Sequence, residues 1–319
     1  MIRALFIVLA VFLWATAGAA AKDKLHVSEK RIGDAVWLAS EADAVAFLLN
    51  SPGECLRAPA SNDERYFVEV GRAAFRSPLL LGGQAARGGL SCNSCHRDGR
   101  DNPAFFLKGL SDEPGTADVT SSLFSKTRDD GVLNPRPIPS LVDAGAKQSF
   151  GEMAPAPSLH AFITSAVIDE FQGAEPPEAV ISGLAAYVAH LASDACPPTS
   201  TESTAQHDME AVDRALAAAE AALKRNDRDA ADFLLLAAQQ ELGRVYERFA
   251  PHRKAQAKIE SLSREIGMLR AGVNENARMA LVEIAEKRAE AQNLATFLHK
   301  RQAKSLYDAK TLGRWLAPR

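Results

Sequence analysis

Beyond residue 200, apolar residues recur at steps of three and four, the spacing that places side chains on one face of an α-helix. Four such rows cover residues 209–223, 234–249, 259–273 and 281–294. The rows are narrow, rich in Ala and flanked by charged residues, which is typical of helices in antiparallel bundles and coiled coils. The pattern therefore predicts an α-helical bundle domain over residues 201–319.

The first part of the chain has shorter periodic stretches separated by a long irregular segment. Apolar spacing predicts helices over 41–49, 64–76, 158–171 and 177–192. Residues 77–149 are rich in Gly, Pro, Asp and Ser and show little periodicity. An irregular segment of this length inside a compact domain is expected to pack around a ligand or cofactor. Both parts of the chain are therefore assigned to the all-α class.

The N-terminal residues have the layout of a secretory signal peptide. Arg3 gives a basic start, residues 4–16 are apolar and uncharged, and small residues over 15–21 offer cleavage sites. An uncleaved anchor is the alternative, but a membrane span needs about 20 apolar residues and this stretch is shorter. We expect cleavage of residues 1–21 and export to the periplasm, an oxidising compartment where disulfides persist. No later segment is apolar for long enough to span a membrane.

Composition and charge narrow the classes of function. With 47% hydrophobic and 24% charged residues, the chain is not wholly disordered. Its formal net charge is −3 and it has no long run of like charges, which argues against nucleic-acid binding. Residues 22–204 hold 16 Lys and Arg against 24 Asp and Glu, whereas residues 205–319 hold 20 against 16. An acidic first domain favours a protein partner with a basic docking surface.

The strongest chemical signal is the run Cys92-Asn93-Ser94-Cys95-His96. In a Cys-x-x-Cys-His run, two thiols bond covalently to haem and the adjacent His supplies one axial nitrogen to iron. A zinc site would need a second ligand pair at similar spacing, and a thioredoxin-type pair would need a βαβ context, and neither is present in the sequence. The sequence predicts one covalently attached haem c, bonded to Cys92 and Cys95, with His96 on the iron. Residues 92–96 are therefore named the attachment run.

The residues on either side of this run carry a resemblance to a known family. In chain order they are Gly71 and Phe75 on a helix, a Leu-rich loop at 79–81, the attachment run, Arg136-Pro137-Ile138-Pro139-Ser140-Leu141, and a closing helix over 181–191. Similar features occur in the same order in the haem domain of the di-haem cytochrome c peroxidase and MauG superfamily, which this part of the chain resembles. The resemblance covers about residues 65–191 and implies a cytochrome c-like haem domain, which we assign to residues 22–200. Those peroxidases have two attachment runs and this chain has one, and residues after 200 have no counterpart in them.

Three candidates for the sixth iron ligand come after His96 in the chain: Met153, His160 and His190. Met153 lies in a Pro-bearing loop, and a comparable loop faces the distal side of the haem in the resembled proteins. A thioether ligand closes the iron and raises its potential, which suits electron transfer. His160 is a second candidate, an open site is a third possibility, and His190 falls on the polar side of its helix. A Met that only fills a gap in the core is the non-ligand alternative to Met153.

Cys55 and Cys196 are the two cysteines outside the attachment run, and they lie near the two ends of the haem domain. Because the compartment permits oxidation, we expect a disulfide between them. Such a bridge would tie the N-terminal segment to the end of the closing helix. Two buried free thiols are the alternative.

Three functions follow from these features. The first is a periplasmic electron-transfer cytochrome, for which no catalytic residue is assigned. The second is a peroxidase or MauG-like enzyme with an open iron position, in which Glu152 or His160 would act as the distal acid or base. The third is a redox-sensing or scaffold module in which residues 201–319 bind a protein partner or form a homo-oligomer. We expect the first.

Overall fold

A computed structural model describes residues 32–151 and 155–317. Helix accounts for 59% of the structure, and the strands are few and short. The all-α class is therefore confirmed at the level of secondary structure. Among the described residues, no helix has both the length and the apolar character needed to cross a bilayer. The predicted signal peptide and two of the residues considered above, Glu152 and Met153, lie outside the described residues.

The described residues contain eleven α-helices. Those before residue 200 are α1 (Ala44–Leu49), α2 (Asn62–Phe75), α3 (Gly83–Gly88), α4 (Cys92–Cys95), α5 (Leu159–Ser165) and α6 (Glu178–His190). A π-helical turn, Ala166–Glu170, directly continues α5. The later helices are α7 (Ala205–Lys224), α8 (Arg228–Arg248), α9 (Arg253–Gly272), α10 (Ala277–His299) and α11 (Ala309–Leu316).

Four two-residue strands form two small antiparallel pairs. They are β1 (Asn50–Ser51), β2 (Thr116–Ala117), β3 (Arg136–Pro137) and β4 (Thr201–Glu202). Strand β1 pairs with β4, and β2 pairs with β3. The second pair lies inside the long segment that the sequence predicted to be irregular, and it joins the two ends of the loop between them.

Polar caps explain where most long helices begin. At each start a side chain accepts a hydrogen bond from a backbone N–H of the first turn, which satisfies a donor that has no partner within the helix. The capping residues are Ser61, Ser158, Thr204, Asp227, His252, Asn276 and Asp308. The four apolar rows after residue 200 correspond to α7 to α10, so the predicted bundle helices are confirmed. Helix α11 has only eight residues and was not predicted.

The helices on both sides of residue 200 bury their apolar side chains in a common core. Helix α2 packs against α6, and it also contacts α7 and α8 of the bundle. Within the bundle, α7 contacts α8 and α10, and α9 contacts α8 and α10. The core includes Val70 and Leu184 from the first part and Leu216 and Leu234 from the second, each no more than 2% exposed. One face of α2 is therefore covered by α6 and another by the bundle.

Candidate functional site

The two cysteines of the attachment run are the first and last residues of α4. They are three residues apart, so their side chains lie on the same side of one helical turn. Neither cysteine is in a disulfide, and both are half-buried at the edge of the main core. Burial raises the pKa of each thiol to about 12. Both sulfurs therefore carry their protons at neutral pH.

The two residues between the cysteines hold the turn in place. The side-chain oxygen of Asn93 accepts a hydrogen bond from the backbone N–H of Asp98 at 2.9 Å. The Ser94 hydroxyl accepts one from the N–H of Ser91 at 3.1 Å, and the Ser94 carbonyl accepts one from the Asn102 side-chain amide at 2.8 Å. These contacts fix a helix of four residues that would not be stable by itself.

His96 follows α4 and is oriented by the Pro139 carbonyl. The distance from His96 Nδ1 to Pro139 O is 2.9 Å. Since a carbonyl oxygen can only accept, Nδ1 carries the proton and the lone pair is on Nε2. Burial lowers the pKa of His96, which keeps the ring neutral. A neutral imidazole with one nitrogen held by a carbonyl is the usual state of a metal-binding histidine.

Two backbone hydrogen bonds position the Pro139 carbonyl. The N–H of Ile138 donates to Gly115 O at 2.9 Å, and the N–H of Leu141 donates to Gly99 O at 2.9 Å. Gly99 lies three residues after His96, so the loop is attached to the segment that it orients. The stretch on which the family resemblance partly depends, 136–141, therefore has a clear local role in this chain.

This donor set fits haem c. Two protonated thiols lie on one side of a single turn, and a neutral imidazole with its lone pair on Nε2 follows directly. Among the described residues, no group of three or more His, Cys, Asp or Glu side chains is placed to hold a metal ion. A metal site built from protein side chains alone, such as the zinc alternative, therefore finds no ligand set in residues 32–151 and 155–317.

The two histidines considered as sixth ligands contact other protein groups. His160 on α5 lies 3.0 Å from the Glu178 carboxylate on α6, measured between Nε2 and Oε1. The Nδ1 atom of His190 lies 2.8 Å from the Ala186 carbonyl, one turn earlier in the same helix. Met153, the expected ligand, lies outside the described residues, so its placement stays a prediction.

The structure joins Cys55 and Cys196 by a disulfide bond. Backbone hydrogen bonds also join Cys55 and Arg57 to the end of α6 and the residues after it. The N–H of Ala192 donates to Cys55 O at 2.8 Å, and the N–H of Arg57 donates to His190 O at 2.9 Å. The N-terminal segment is thus fastened to the closing helix by a covalent bond and two hydrogen bonds.

Glu170 is a buried carboxylate near the attachment run, and the sequence pattern did not single it out. It ends the π-helical turn, is 8% exposed, and its Oε2 accepts a hydrogen bond from Arg128 Nη1 at 2.8 Å. Burial raises its pKa to about 7, although Arg128 lowers it in part. A signal was present: Ile163, Val167 and Glu170 follow the spacing of one helical face, so an acid occupies a core position.

A second group of charges lies between the end of α2 and α8. Arg76, at the end of α2, donates from Nε to Glu241 Oε1 on α8 at 2.9 Å. Arg244 Nη1 lies 3.0 Å from the same oxygen. Glu241 is 4% exposed, and although burial pushes its pKa upward, Arg244 and Arg76 outweigh this effect and the pKa falls. Asp98, close to α4, lies 3.7 Å from Arg76 Nη1.

A cavity of about 80 Å³ lies beside these charges, on the side of α4 that carries Asn93 and Ser94. Its other lining residues include Asp98, close to α4, Asp208 of α7 and Arg248 of α8. The sequence could not indicate this interface, because Arg76 and Glu241 are 165 residues apart and each occurs in an ordinary charged helix segment.

Comparison with known proteins gives no family assignment. The chain matches no family model, and neither the curated proteins nor the solved structures contain a match to it.

Proposed function

We propose that this chain is an exported c-type cytochrome that binds one haem covalently and transfers single electrons. One observation carries the proposal. His96 is held by the Pro139 carbonyl with its lone pair on Nε2, directly after a turn that presents two protonated thiols. Each of these features has another explanation by itself. Covalent haem attachment explains all of them together.

The residues of the chain would have distinct roles. Cys92 and Cys95 would each add a thiol S–H across a vinyl double bond, with sulfur on one carbon and hydrogen on the other, so the step needs no oxidant. His96 would supply an axial nitrogen, and Pro139 would orient it. Haem so bound supplies a one-electron couple, whose potential depends on the second axial ligand and on the charges around the site.

The surface charge agrees with a protein partner that docks through electrostatic attraction. Residues 22–204 carry an excess of acidic side chains. Such a surface attracts a basic partner over a distance comparable to the Debye length, about 10 Å at 0.1 M salt. Electron exchange with that partner is therefore expected to slow as the salt concentration rises.

The proposal is tested by producing the full chain in a host that exports it and has a haem maturation system. We expect a coloured protein whose mass exceeds that of the mature polypeptide by one haem after denaturation. A Cys92→Ala/Cys95→Ala variant is expected to lose the covalent haem. The matched control, Cys55→Ser/Cys196→Ser, also removes two cysteines and is expected to keep it.

Two outcomes would contradict the proposal. A colourless wild-type protein with the mass of its amino acids alone would exclude covalent haem attachment. A haem-bound protein that is high-spin and consumes peroxide rapidly would exclude simple electron transfer and favour the peroxidase function.

A further inference from the structure

Glu170 is buried, and burial of an ionised carboxylate is energetically unfavourable. It is the last residue of the π-helical turn Ala166–Glu170, which also carries the buried Val167, and it directly precedes Phe171, whose ring lies 5.4 Å from that of Phe124. An ionised carboxylate in such a place is stable only with a partner. Single π-helical turns are frequent at functional sites, because the extra residue turns a side chain away from the regular helical position.

The hydrogen bonds around Arg128 give Glu170 a fixed partner. Arg128 Nη1 contacts Glu170 Oε2 at 2.8 Å, and Arg128 Nη2 donates to the Ser165 hydroxyl at 2.5 Å. The Ser125 hydroxyl accepts from the N–H of Arg128 at 3.0 Å and donates to Asp169 O at 3.1 Å. The guanidinium is therefore tied to the same turn that carries the carboxylate.

Apart from the thiols of α4, the titratable groups on neighbouring elements contact other protein groups or are exposed. Asp169, on the same turn, accepts a hydrogen bond from Ser165 and is exposed. His160 on α5 contacts Glu178 on α6. The exposed charged groups on the segments packed against the turn are Arg87, Lys126, Asp129 and Asp130. Arg128 is thus the charged group in contact with the Glu170 carboxylate among the described residues.

Phe171, the residue after Glu170, packs against the same core as Cys92 and Cys95, and the charge of Glu170 acts on Cys95. The pKa of the Cys95 thiol is raised by burial first, by Cys92 second and by the negative charge of Glu170 third. A charge that Cys95 senses through the protein will also be sensed by an iron whose porphyrin is bonded to Cys95, because Coulomb energies decay slowly in a buried site.

We propose that Glu170 is a redox-linked proton site, which takes one proton from solvent when an external one-electron donor reduces the iron and returns it on oxidation. This inference rests on the proposed haem attachment. The electron goes to iron, the proton goes to a carboxylate oxygen of Glu170, and the net charge of the buried site is unchanged.

The direction of the coupling follows from the signs of the charges. Reduction removes one positive charge from the iron, so the pKa of Glu170 is higher in the reduced protein than in the oxidised protein. Between these two values, reduction takes up a proton. The reduction potential therefore falls as pH rises across this interval and is constant on either side. Because burial raises the pKa of Glu170 to about 7, the interval lies near neutral pH.

The experiment is a redox titration of the haem-loaded full chain from pH 5 to pH 9, monitored by haem absorbance. We expect a sloping region near neutral pH with a slope of at most one proton per electron. In Glu170→Gln the slope is expected to disappear, and the potential at high pH is expected to be higher than in wild type, because a negative charge has been removed. The control Glu175→Gln removes an exposed carboxylate five residues later and is expected to keep the slope.

A second variant tests the same idea with Glu170 intact. Arg128 lowers the pKa of Glu170, so Arg128→Gln is expected to move the sloping region to higher pH without abolishing it. A slope that is unchanged in both Glu170→Gln and Arg128→Gln would assign the proton to another group and overturn the inference. A wild-type potential that is constant near neutral pH would do the same.

The two proposals fail in different ways. A chain without covalent haem has no potential to titrate, and the proposed function itself then fails. A haem-loaded chain with a potential independent of Glu170 retains the proposed function and refutes only the redox-linked proton site.

Discussion

Gly71 on α2 and Gly183 on α6 are in backbone contact where the two helices cross. A Cβ atom added to Gly71 would overlap the Gly183 carbonyl, and one added to Gly183 would lie 2.8 Å from Gly71 N and 2.9 Å from Phe67 O. These neighbours are backbone atoms, which cannot rotate away. The two glycines thus allow the closest approach between the helix that precedes the attachment run and the helix that closes the domain.

We expect Gly71→Ala to separate α2 from α6 and lower the free energy of unfolding. The free energy of unfolding is expected to fall by at least about 1 kcal/mol, because overpacking a core usually costs about 1 to 3 kcal/mol. The measurement is chemical unfolding followed by far-ultraviolet circular dichroism.

The matched control is Gly243→Ala on α8, because a Cβ at Gly243 meets no atom within 4 Å. This change is expected to stabilise the protein by about 0.5 to 1 kcal/mol, because Ala favours a helix interior over Gly. Equal effects of the two substitutions would contradict the close crossing.

Removal of the Glu241 charge is expected to loosen the contact between α2 and α8. Glu241→Gln would leave the half-buried Arg76 and Arg244 without the buried carboxylate that they share. Loss of one member of a fully buried ion pair costs about 3 to 5 kcal/mol, and we expect a smaller loss here because Asp98 still lies 3.7 Å from Arg76. The measurement is urea unfolding at neutral pH.

The comparison for Glu241 is Glu260→Gln on α9. Glu260 pairs with Arg264 in an exposed i, i+4 contact at 3.3 Å. Exposed pairs of this type contribute at most about 1 kcal/mol. If Glu241→Gln costs no more than Glu260→Gln, the buried charges do not hold the interface.

The sixth ligand is tested by substituting Met153 and His160 in turn. If Met153 binds the iron, Met153→Ala is expected to convert a low-spin ferric spectrum to high-spin and to lower the potential, because a thioether ligand raises it. His160→Ala is expected to change neither, since its imidazole contacts Glu178. Loss of the low-spin spectrum in His160→Ala alone would assign the ligand to His160.

The disulfide between Cys55 and Cys196 is expected to stabilise the protein mainly by restricting the unfolded chain. Cys55 and Cys196 are 141 residues apart, and removal of a native disulfide usually costs about 2 to 5 kcal/mol. Cys55→Ser/Cys196→Ser is expected to unfold at lower denaturant concentration. A reductant should bring wild type to the same midpoint, because thioether bonds are not reduced. A reductant effect that persists in the double variant would contradict this explanation.

Glu170 also predicts a pH-dependent difference in stability. Its pKa is about 7 in the folded protein and near 4.3 in an unfolded chain. Between these values the folded state holds the proton more tightly, so its contribution to the free energy of unfolding falls as pH rises. The stability of oxidised wild type relative to Glu170→Gln is expected to fall by about 3 kcal/mol between pH 4 and pH 8. A difference that is constant with pH would show that Glu170 keeps an ordinary pKa.

The spacing of apolar residues predicted the long helices well, because this spacing depends only on residues that are close together in the sequence. Helices α7 to α10 coincide with the four apolar rows, and each extends a few residues beyond its row to a polar cap such as Asp227 or Asn276. The short helices α3 and α11 were not predicted, because α3 has no large apolar residue to mark a face and the large apolar residues of α11 are confined to 312–316. Helix α11 depends on tertiary contact: Leu312 packs with Leu48 of α1 in a small second core.

The candidate site was only partly visible in the sequence for a similar reason. The attachment run is contiguous, so Cys92, Cys95 and His96 could be selected without a structure. The Pro139 carbonyl could not be selected, since a backbone atom has no sequence signature and its position depends on hydrogen bonds to Gly99 and Gly115. Glu170 was overlooked because an acid in a helical pattern is usually exposed.

By itself, the sequence determined the helical class, the positions of the long helices and the position of the attachment run, because all of these depend on residues that are neighbours along the chain. Only the tertiary structure decided that Cys55 and Cys196 come within bonding distance, which nitrogen of His96 carries the proton, and that Arg76 and Glu241 meet across the interface. These features depend on groups that are distant in sequence, and their energies depend on burial, which no local pattern specifies.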